Sequence, residues 1–299
     1  MVLAQRRDLE LVSVDSMQVY CGMDVGTAKP TVSDQALVRH HLIDVADPGD
    51  DYGVAQFQAA LIGVVDDLRQ RGARALLVGG TGLYFQAAVD GFAIPGQYPD
   101  VRLALEAEPD TAALHVRLLR LDPVAAARME PSNRRRVLRA LEVTLGSGRP
   151  FSSAGPGVGT FPALPFPVLA IRRPRGCFEP RLRARLQKQF DDGFVAEVER
   201  LHGAVRPVGR TACQALGYRE LIDYLEGDQR PAHLSASESV PTDVADLIIS
   251  RSRQFAVRQE RWFRRDPRVR WLDAPPDSTN DSLMIDVADR LCGAEGSAV

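Results

Sequence analysis

The sequence predicts an α/β fold in which a parallel sheet core is interrupted by a helical insertion. Three observations predict it: short apolar strands alternate with amphipathic helices in the first part of the chain, the stretch from about Gly91 to Phe161 reads as helices without a strand, and a strand returns at Val168-Leu169-Ala170-Ile171. The core is expected over residues 1–94 and 162–299, with helices after the second strand-rich part, and the insertion over 95–161. A chain of 299 residues accommodates one large or two modest domains with real cores.

Leu9, Leu11, Val12 and Val14 read as the first strand and leave Asp15 and Ser16 at its carboxyl end, where open α/β sheets place their ligands. Cys21 to Pro30 follow as a glycine-containing loop, with Thr27 and Lys29 as candidate phosphate partners. His40 to Val45 form a second extended segment. A helix over Val54–Arg71 carries Ala55, Leu61, Ile62, Val65 and Leu68 near helical spacing and ends at Gly72. Ala75 to Val78 form a buried strand running into Gly79-Gly80-Thr81-Gly82, and a helix runs from Leu83 to Val89. Strand, glycine turn and helix together offer backbone N–H groups to an anion.

Pro95, Pro99 and Pro109 punctuate the insertion, whose helices are expected at Thr111–Arg120, Pro123–Met129 and Ser132–Leu145. Ser152 to Pro167, rich in Gly, Pro and Phe, reads as a boundary loop. Beyond the returning strand come a long helix over Arg181–His202 and a helical region through Asp266. The tail after Asp273 is Pro/Asp/Ser-rich, with a weak helix near Ser282–Leu291.

No apolar run approaches the roughly 20 residues of a membrane helix, and Arg6, Arg7, Asp8 and Glu10 close behind Met1 leave no signal-peptide core. A cytoplasmic protein with no membrane partner is expected. Cys21, Cys177, Cys213 and Cys292 are scattered without paired spacing, so unpaired thiols are expected and neither a zinc site nor a disulfide framework. His40 and His41 lack a third ligand at metal spacing and read as structural.

A net charge of −2 conceals local asymmetry, since Lys29 and Lys188 are the only lysines. Arginine concentrates in three segments: Arg134 to Arg139, Arg172 to Arg185, and Arg251 to Arg270 interleaved with Phe255, Trp262, Phe263 and Trp271. Arginine pairs bidentately with phosphate and stacks on bases, so the pattern fits an RNA or diphosphate partner. For any one cluster a solvated helix face is the commoner explanation. Arg135 or Arg136 shares a face with Arg139, and Arg181 shares one with Arg185.

Asp15-Ser-Met-Gln-Val-Tyr20 with Gly22-Met-Asp-Val-Gly-Thr-Ala-Lys-Pro30, Val78-Gly-Gly-Thr-Gly-Leu-Tyr84, Asn133-Arg-Arg-Arg-Val-Leu-Arg-Ala-Leu-Glu142, Gln214-Ala-Leu-Gly-Tyr-Arg219 and Arg258-Gln-Glu-Arg-Trp-Phe263 occur in this order. The series, spanning about Leu11 to Asp273, closely resembles the blocks of the tRNA dimethylallyltransferases. The resemblance implies a P-loop-kinase-like core and transfer of a dimethylallyl group from dimethylallyl diphosphate to the exocyclic amine of the adenosine 3′ of the anticodon. It implies Asp15 as general base and Thr81 as a catalytic support of the leaving diphosphate. Thr81, Arg181 and Arg185 would bind that diphosphate with a Mg2+ ion. Asp15, Ser16, Met17, Gln18, Arg102, Arg135, Arg136, Arg139, Gln214, Gly217, Tyr218 and Arg219 would contact the tRNA anticodon stem-loop. A monomer is expected.

Family members carry a Gly-x-x-x-x-Gly-Lys-Ser/Thr loop, preceded by a strand, about thirty residues before the Asp-Ser block. Here Met1 stands too close to Asp15 for either. First strand and P-loop are therefore expected to be missing from this chain, through a start downstream of the native one, and no metal ligand is assigned. Their loss should open the sheet and expose apolar side chains. Two other readings stand beside the main one: a non-catalytic tRNA-binding remnant, and an enzyme that prenylates free adenine nucleotides.

Overall fold

The computed structural model describes residues 1–155, 157–227, 240–275 and 285–290. The chain forms two compact units, one of Met1–Val89 with Ala163–Val299 and one of Asp90–Pro162. The first unit opens with α1 (Val2–Arg7), β1 (Leu9–Ser13), α2 (Val32–Leu37), β2 (His40–His41), α3 (Val54–Arg71), β3 (Arg74–Val78) and α4 (Gly82–Asp90). The second holds α5 (Pro99–Glu106), α6 (Thr111–Leu121), α7 (Pro123–Ala127) and α8 (Arg134–Ser147). The first then resumes with β4 (Val168–Arg172), α9 (Phe178–Asp191), α10 (Phe194–His202), α11 (Tyr218–Glu226), α12 (Thr242–Phe263) and β5 (Val269–Asp273). Residues 285–290 add a helical segment; the rest of the expected weak helix, and Cys292, lie outside the described residues.

All strand pairs among the described residues are parallel. β1 lies between β2 and β3, with Leu11 opposite His40 and Leu76, and Val12 opposite His41 and Leu77. Both faces of β1 are covered, as expected of a central parallel strand with apolar residues on each side. Leu9 and Leu11 meet Ala4, Val38 and Leu76 on one face, while Val12 and Val14 join the main core with Phe57, Leu61 and Leu68 of α3 on the other. Burying side chains of this size contributes about 1.5–3 kcal/mol each. β4 pairs with β5 in a separate ladder, Val168 opposite Val269. Among the described residues β3 and β4 are therefore both edge strands, and Val78 and Ile171 stand 51% and 59% exposed.

Several expectations are corrected. The extended run expected through Val45 stops at His41, because Leu42 and Asp44 take left-handed backbone with φ of 61° and 54°. The long helix over Arg181–His202 is two helices, broken at Gly193, whose φ of 93° favours glycine. α1, α2, α5 and β5 are additions to the elements expected from the sequence. β5 hides there because Arg270 interrupts its apolar pattern directly after an arginine-rich helix.

Glu10 on β1 ties the first sheet to its covering helix. Arg71 at the end of α3 donates to its two oxygens at 2.5 and 2.8 Å, and His41 Nε2 lies 2.6 Å away. The Arg71 guanidinium outweighs the cost of burial and, helped by His41, holds the Glu10 carboxyl down to about 2. A depressed carboxyl stabilises the fold above the ordinary glutamate range of about 4.3, and that contribution is lost as pH falls toward 2. Glu10→Gln should therefore melt below wild type near neutral pH, with the gap closing between pH 4 and 2 in thermal scans; a gap independent of pH would contradict this assignment.

The second unit packs Leu105, Leu114, Leu118, Val137, Leu138 and Leu141 together. Its helices start at capping side chains: Asp110 accepts from Ala112 N–H and Asn133 from Arg136 N–H. Asp122, almost fully buried, accepts the N–H of Ala125 and the N–H and hydroxyl of Ser152. Burial alone would raise its carboxyl, but those donors hold it below the usual range.

Candidate active site

The carboxyl ends of β1 and β3 meet. Gly79 lies so close to the Val14 carbonyl that a Cβ would strike it, which brings the 79–82 turn against Asp15 and Ser16. Ser16 N–H donates to Thr81 Oγ1 at 3.1 Å, and the Thr81 hydroxyl donates to Ser16 Oγ at 3.3 Å. Asp15 is half-buried. Its Oδ1 accepts from the N–H groups of Met17, at 2.8 Å, and Gln18, at 3.3 Å, while no partner of the second oxygen is found among the described residues. A carboxylate fixed by one oxygen and open at the other can take a proton, and two hydroxyls beside a helix start suit an anion. Gln259 Nε2 of α12 donates to Gly80 O at 3.0 Å, and Trp262 packs where a Cβ of Gly82 would sit. The Arg-Gln-x-x-Trp block thus supports the glycine turn directly.

Arg181, Arg185 and Gln189 recur every four residues on one face of α9. Gln189 Nε2 donates to the carbonyls of Val25 and Gly26, both at 2.9 Å, in the loop that follows Asp15. Arg181 and Arg185 are exposed, and no carboxylate pairs with either among the described residues. Their neighbours are committed: Arg183 to Glu179 and Asp246, Arg172 to Asp273, Arg251 to Glu220, Arg264 to Glu260 and Arg268 to Asp266. A groove of about 450 Å³ runs between α12 and the start of α9, lined by Arg175, Phe178, Arg253, Val257, Arg258 and Arg261. Arg258 lies over Phe255 and Arg265 over Trp262.

Several expected site residues are placed elsewhere. Lys29 is no phosphate partner: its Nζ is buried and donates to Tyr20 O, Asp24 Oδ1 and Asp44 Oδ1 at 2.8, 2.5 and 2.6 Å. Thr27 is half-buried, and its hydroxyl donates to Met23 O within its own loop. Tyr218 and Gly217 are buried and cannot face RNA as they stand, which corrects that expectation. The Tyr218 hydroxyl donates to Glu197 Oε1 at 2.5 Å, and burial pushes it far above the usual phenol range. Gln214 and Arg219, from the same block, are exposed. Met17 is half-buried and packs on the main core.

In the second unit Arg135 and Arg136 are exposed and unpaired among the described residues. Arg139 is half-buried and donates to Glu142 Oε1 and Pro95 O at 2.7 Å each, within its own unit. Arg102 Nε donates to Glu106.

Glu197 and Gln189 are absent from the expected site. The signal for Glu197 was present: it falls on the apolar stripe of α10 with Phe194, Val198 and Leu201, where a carboxylate needs buried donors. Cys21, Cys177 and Cys213 are free, and no group of three metal-binding side chains occurs among the described residues. No described helix is long and apolar enough to cross a membrane.

The family model described as IPP transferase matches residues 18–266. The chain is 42% identical over 288 residues to the tRNA dimethylallyltransferase of Bifidobacterium longum subsp. infantis, spanning 95% of this chain and 83% of that one. It is 43% identical over 285 residues to the tRNA dimethylallyltransferase of Kineococcus radiotolerans, spanning 94% and 85%. Among solved structures it is similar to the tRNA isopentenylpyrophosphate transferase of Bacillus halodurans, with a TM-score of 0.67, 32% identity, and coverage of 98% and 90%. A eukaryotic dimethylallyltransferase described as acting on tRNA shares the fold, with a TM-score of 0.75 at 23% identity over 96% of this chain and 72% of that one.

Proposed function

The chain belongs to the IPP transferase family, and from that membership we propose that it transfers a dimethylallyl group from dimethylallyl diphosphate to the exocyclic amine of the adenosine 3′ of the anticodon in tRNA. The observation that carries the proposal is the meeting of Asp15 with the Thr81 turn, a proton acceptor beside hydroxyl and backbone donors at the rim of a parallel sheet. The amine is a weak nucleophile, because its lone pair is delocalised into the purine. As the nitrogen bonds to the allylic carbon and the carbon–oxygen bond breaks, the open oxygen of Asp15 takes the amine proton. The electron pair leaves with the diphosphate, which Thr81, Arg181 and Arg185 stabilise. A purine must leave its stack to reach this rim.

Magnesium is the cofactor that fits. The hydroxyls of Ser16 and Thr81 are hard oxygen donors, the type that would hold it beside the diphosphate. When bound, it would neutralise charge on the diphosphate. The groove bearing Arg175, Arg253, Arg258 and Arg261 supports a polyanionic acceptor, as do Arg135 and Arg136 in the second unit. A tRNA acceptor places the reaction in the cytoplasm, and one copy of the chain carries Asp15, Thr81 and both diphosphate arginines.

The test is incubation with labelled dimethylallyl diphosphate and either unmodified tRNA or AMP. Label is expected in tRNA only. Label in AMP alone would reassign the acceptor, and salt-sensitive tRNA binding without transfer would reduce the chain to an RNA-binding protein.

A further inference from the structure

We propose that Glu197 is a positioning residue which, through the segment Asp24–Gly26, sets the side chain of Gln18 beside the proton-accepting Asp15; the inference rests on the prenyl-transfer reading above. Glu197 is only 6% exposed. Its Oε2 accepts the N–H groups of Asp24 and Val25 at 2.8 Å each, and its Oε1 accepts Gly26 N–H at 3.1 Å and the Tyr218 hydroxyl at 2.5 Å. Three successive N–H groups thus converge on one carboxylate, an arrangement loops otherwise reserve for a bound anion. The carbonyl side of the same peptides is held by Gln189, so the segment is gripped on both edges. The aromatic rings of Phe194 and Tyr218 occupy the space a side chain at Gly26 would need.

The grip has a direct consequence for Gln18. The next carbonyls, of Thr27 and Ala28, lie 3.4 and 3.3 Å from Gln18 Nε2. Carbonyls only accept, so they fix which end of the amide points at them and turn Oε1 toward Ser13 Oγ, at 3.0 Å. One lone pair of Oε1 remains for a donor arriving at Asp15, whose Oδ1 already holds the Gln18 N–H. An exocyclic amine carries two N–H bonds: one proton goes to Asp15 and the other hydrogen is held by Gln18. Glu197 itself touches neither reactant and acts through the loop.

The experiment is a double-variant cycle of Glu197→Gln and Gln18→Ala. An amide in place of Glu197 turns an NH2 group against backbone donors. We expect turnover on tRNA to fall by about tenfold, while KM for dimethylallyl diphosphate stays within about twofold. The double variant should be no slower than Gln18→Ala alone, because both changes remove one interaction. Multiplying losses would overturn the proposal. Gln189→Ala, which loosens the segment from its other edge without burying a mismatched group, repeats the cycle should Glu197→Gln fail to fold. The side-chain amide resonance of Gln18 gives a readout independent of turnover: it should shift in both single variants at Glu197 and Gln189, and an unmoved resonance would also overturn the proposal. Wild-type protein that transfers no prenyl group would count against the assigned reaction, and the resonance would still decide the role of Glu197.

Discussion

Asp15→Asn is expected to lower turnover by about a thousandfold while leaving tRNA affinity within about threefold, since a positioned general base contributes about 10²–10⁴. Asparagine is the informative replacement. Its carbonyl oxygen can still accept the N–H groups of Met17 and Gln18, so the loop after β1 keeps its course. What it lacks is the second oxygen as a base, the one atom of Asp15 that meets no protein donor among the described residues. Asp15→Ala removes both functions and should be slower still. Single-turnover rates with saturating dimethylallyl diphosphate separate chemistry from binding. An Asn variant within tenfold of wild type would remove Asp15 from the proton transfer.

The second large effect concerns α9. Arg181→Ala combined with Arg185→Ala should reduce kcat/KM for dimethylallyl diphosphate by about a hundredfold or more, since each charged hydrogen bond to phosphate is worth about 1.5–3 kcal/mol. Thermal stability should hardly change, because both side chains are exposed and neither belongs to an ion pair among the described residues. Lysine replacements should recover only part of the loss, an ammonium being unable to reproduce a bidentate fork. A variant pair that lost tRNA binding more than diphosphate use would move these arginines to the RNA surface.

Local order was legible where one short segment contains its own explanation. An apolar run ending in Asp15-Ser16, and another ending in Gly79-Gly80-Thr81-Gly82, announce strands that deliver polar groups to a sheet edge, and the fold brings those two ends together. The apolar spacing of Val54–Arg71 likewise marks α3. Roles set by distant partners were not legible. Lys29 looks like a phosphate ligand in its loop, yet Asp24 and, from beyond α2 and β2, Asp44 claim it. A glycine followed by tyrosine reads identically on a surface and in a core, and only Glu197 and Phe194 decide that Tyr218 is interior. Arginine clusters have the same ambiguity: Arg183 is neutralised by carboxylates that sequence spacing cannot rank, while Arg181 and Arg185 beside it are not.

The burial of Lys29 has a practical corollary for chemical labelling. Side-chain amines are confined to two positions in the whole chain, and at Lys29 only 2% of the side chain meets solvent, against 75% at Lys188. Apart from the amino terminus, a succinimidyl dye offered to the folded protein has a single reactive target, one turn beyond Arg185 on α9. A fluorophore there would report occupancy of the neighbouring arginines without any engineered cysteine.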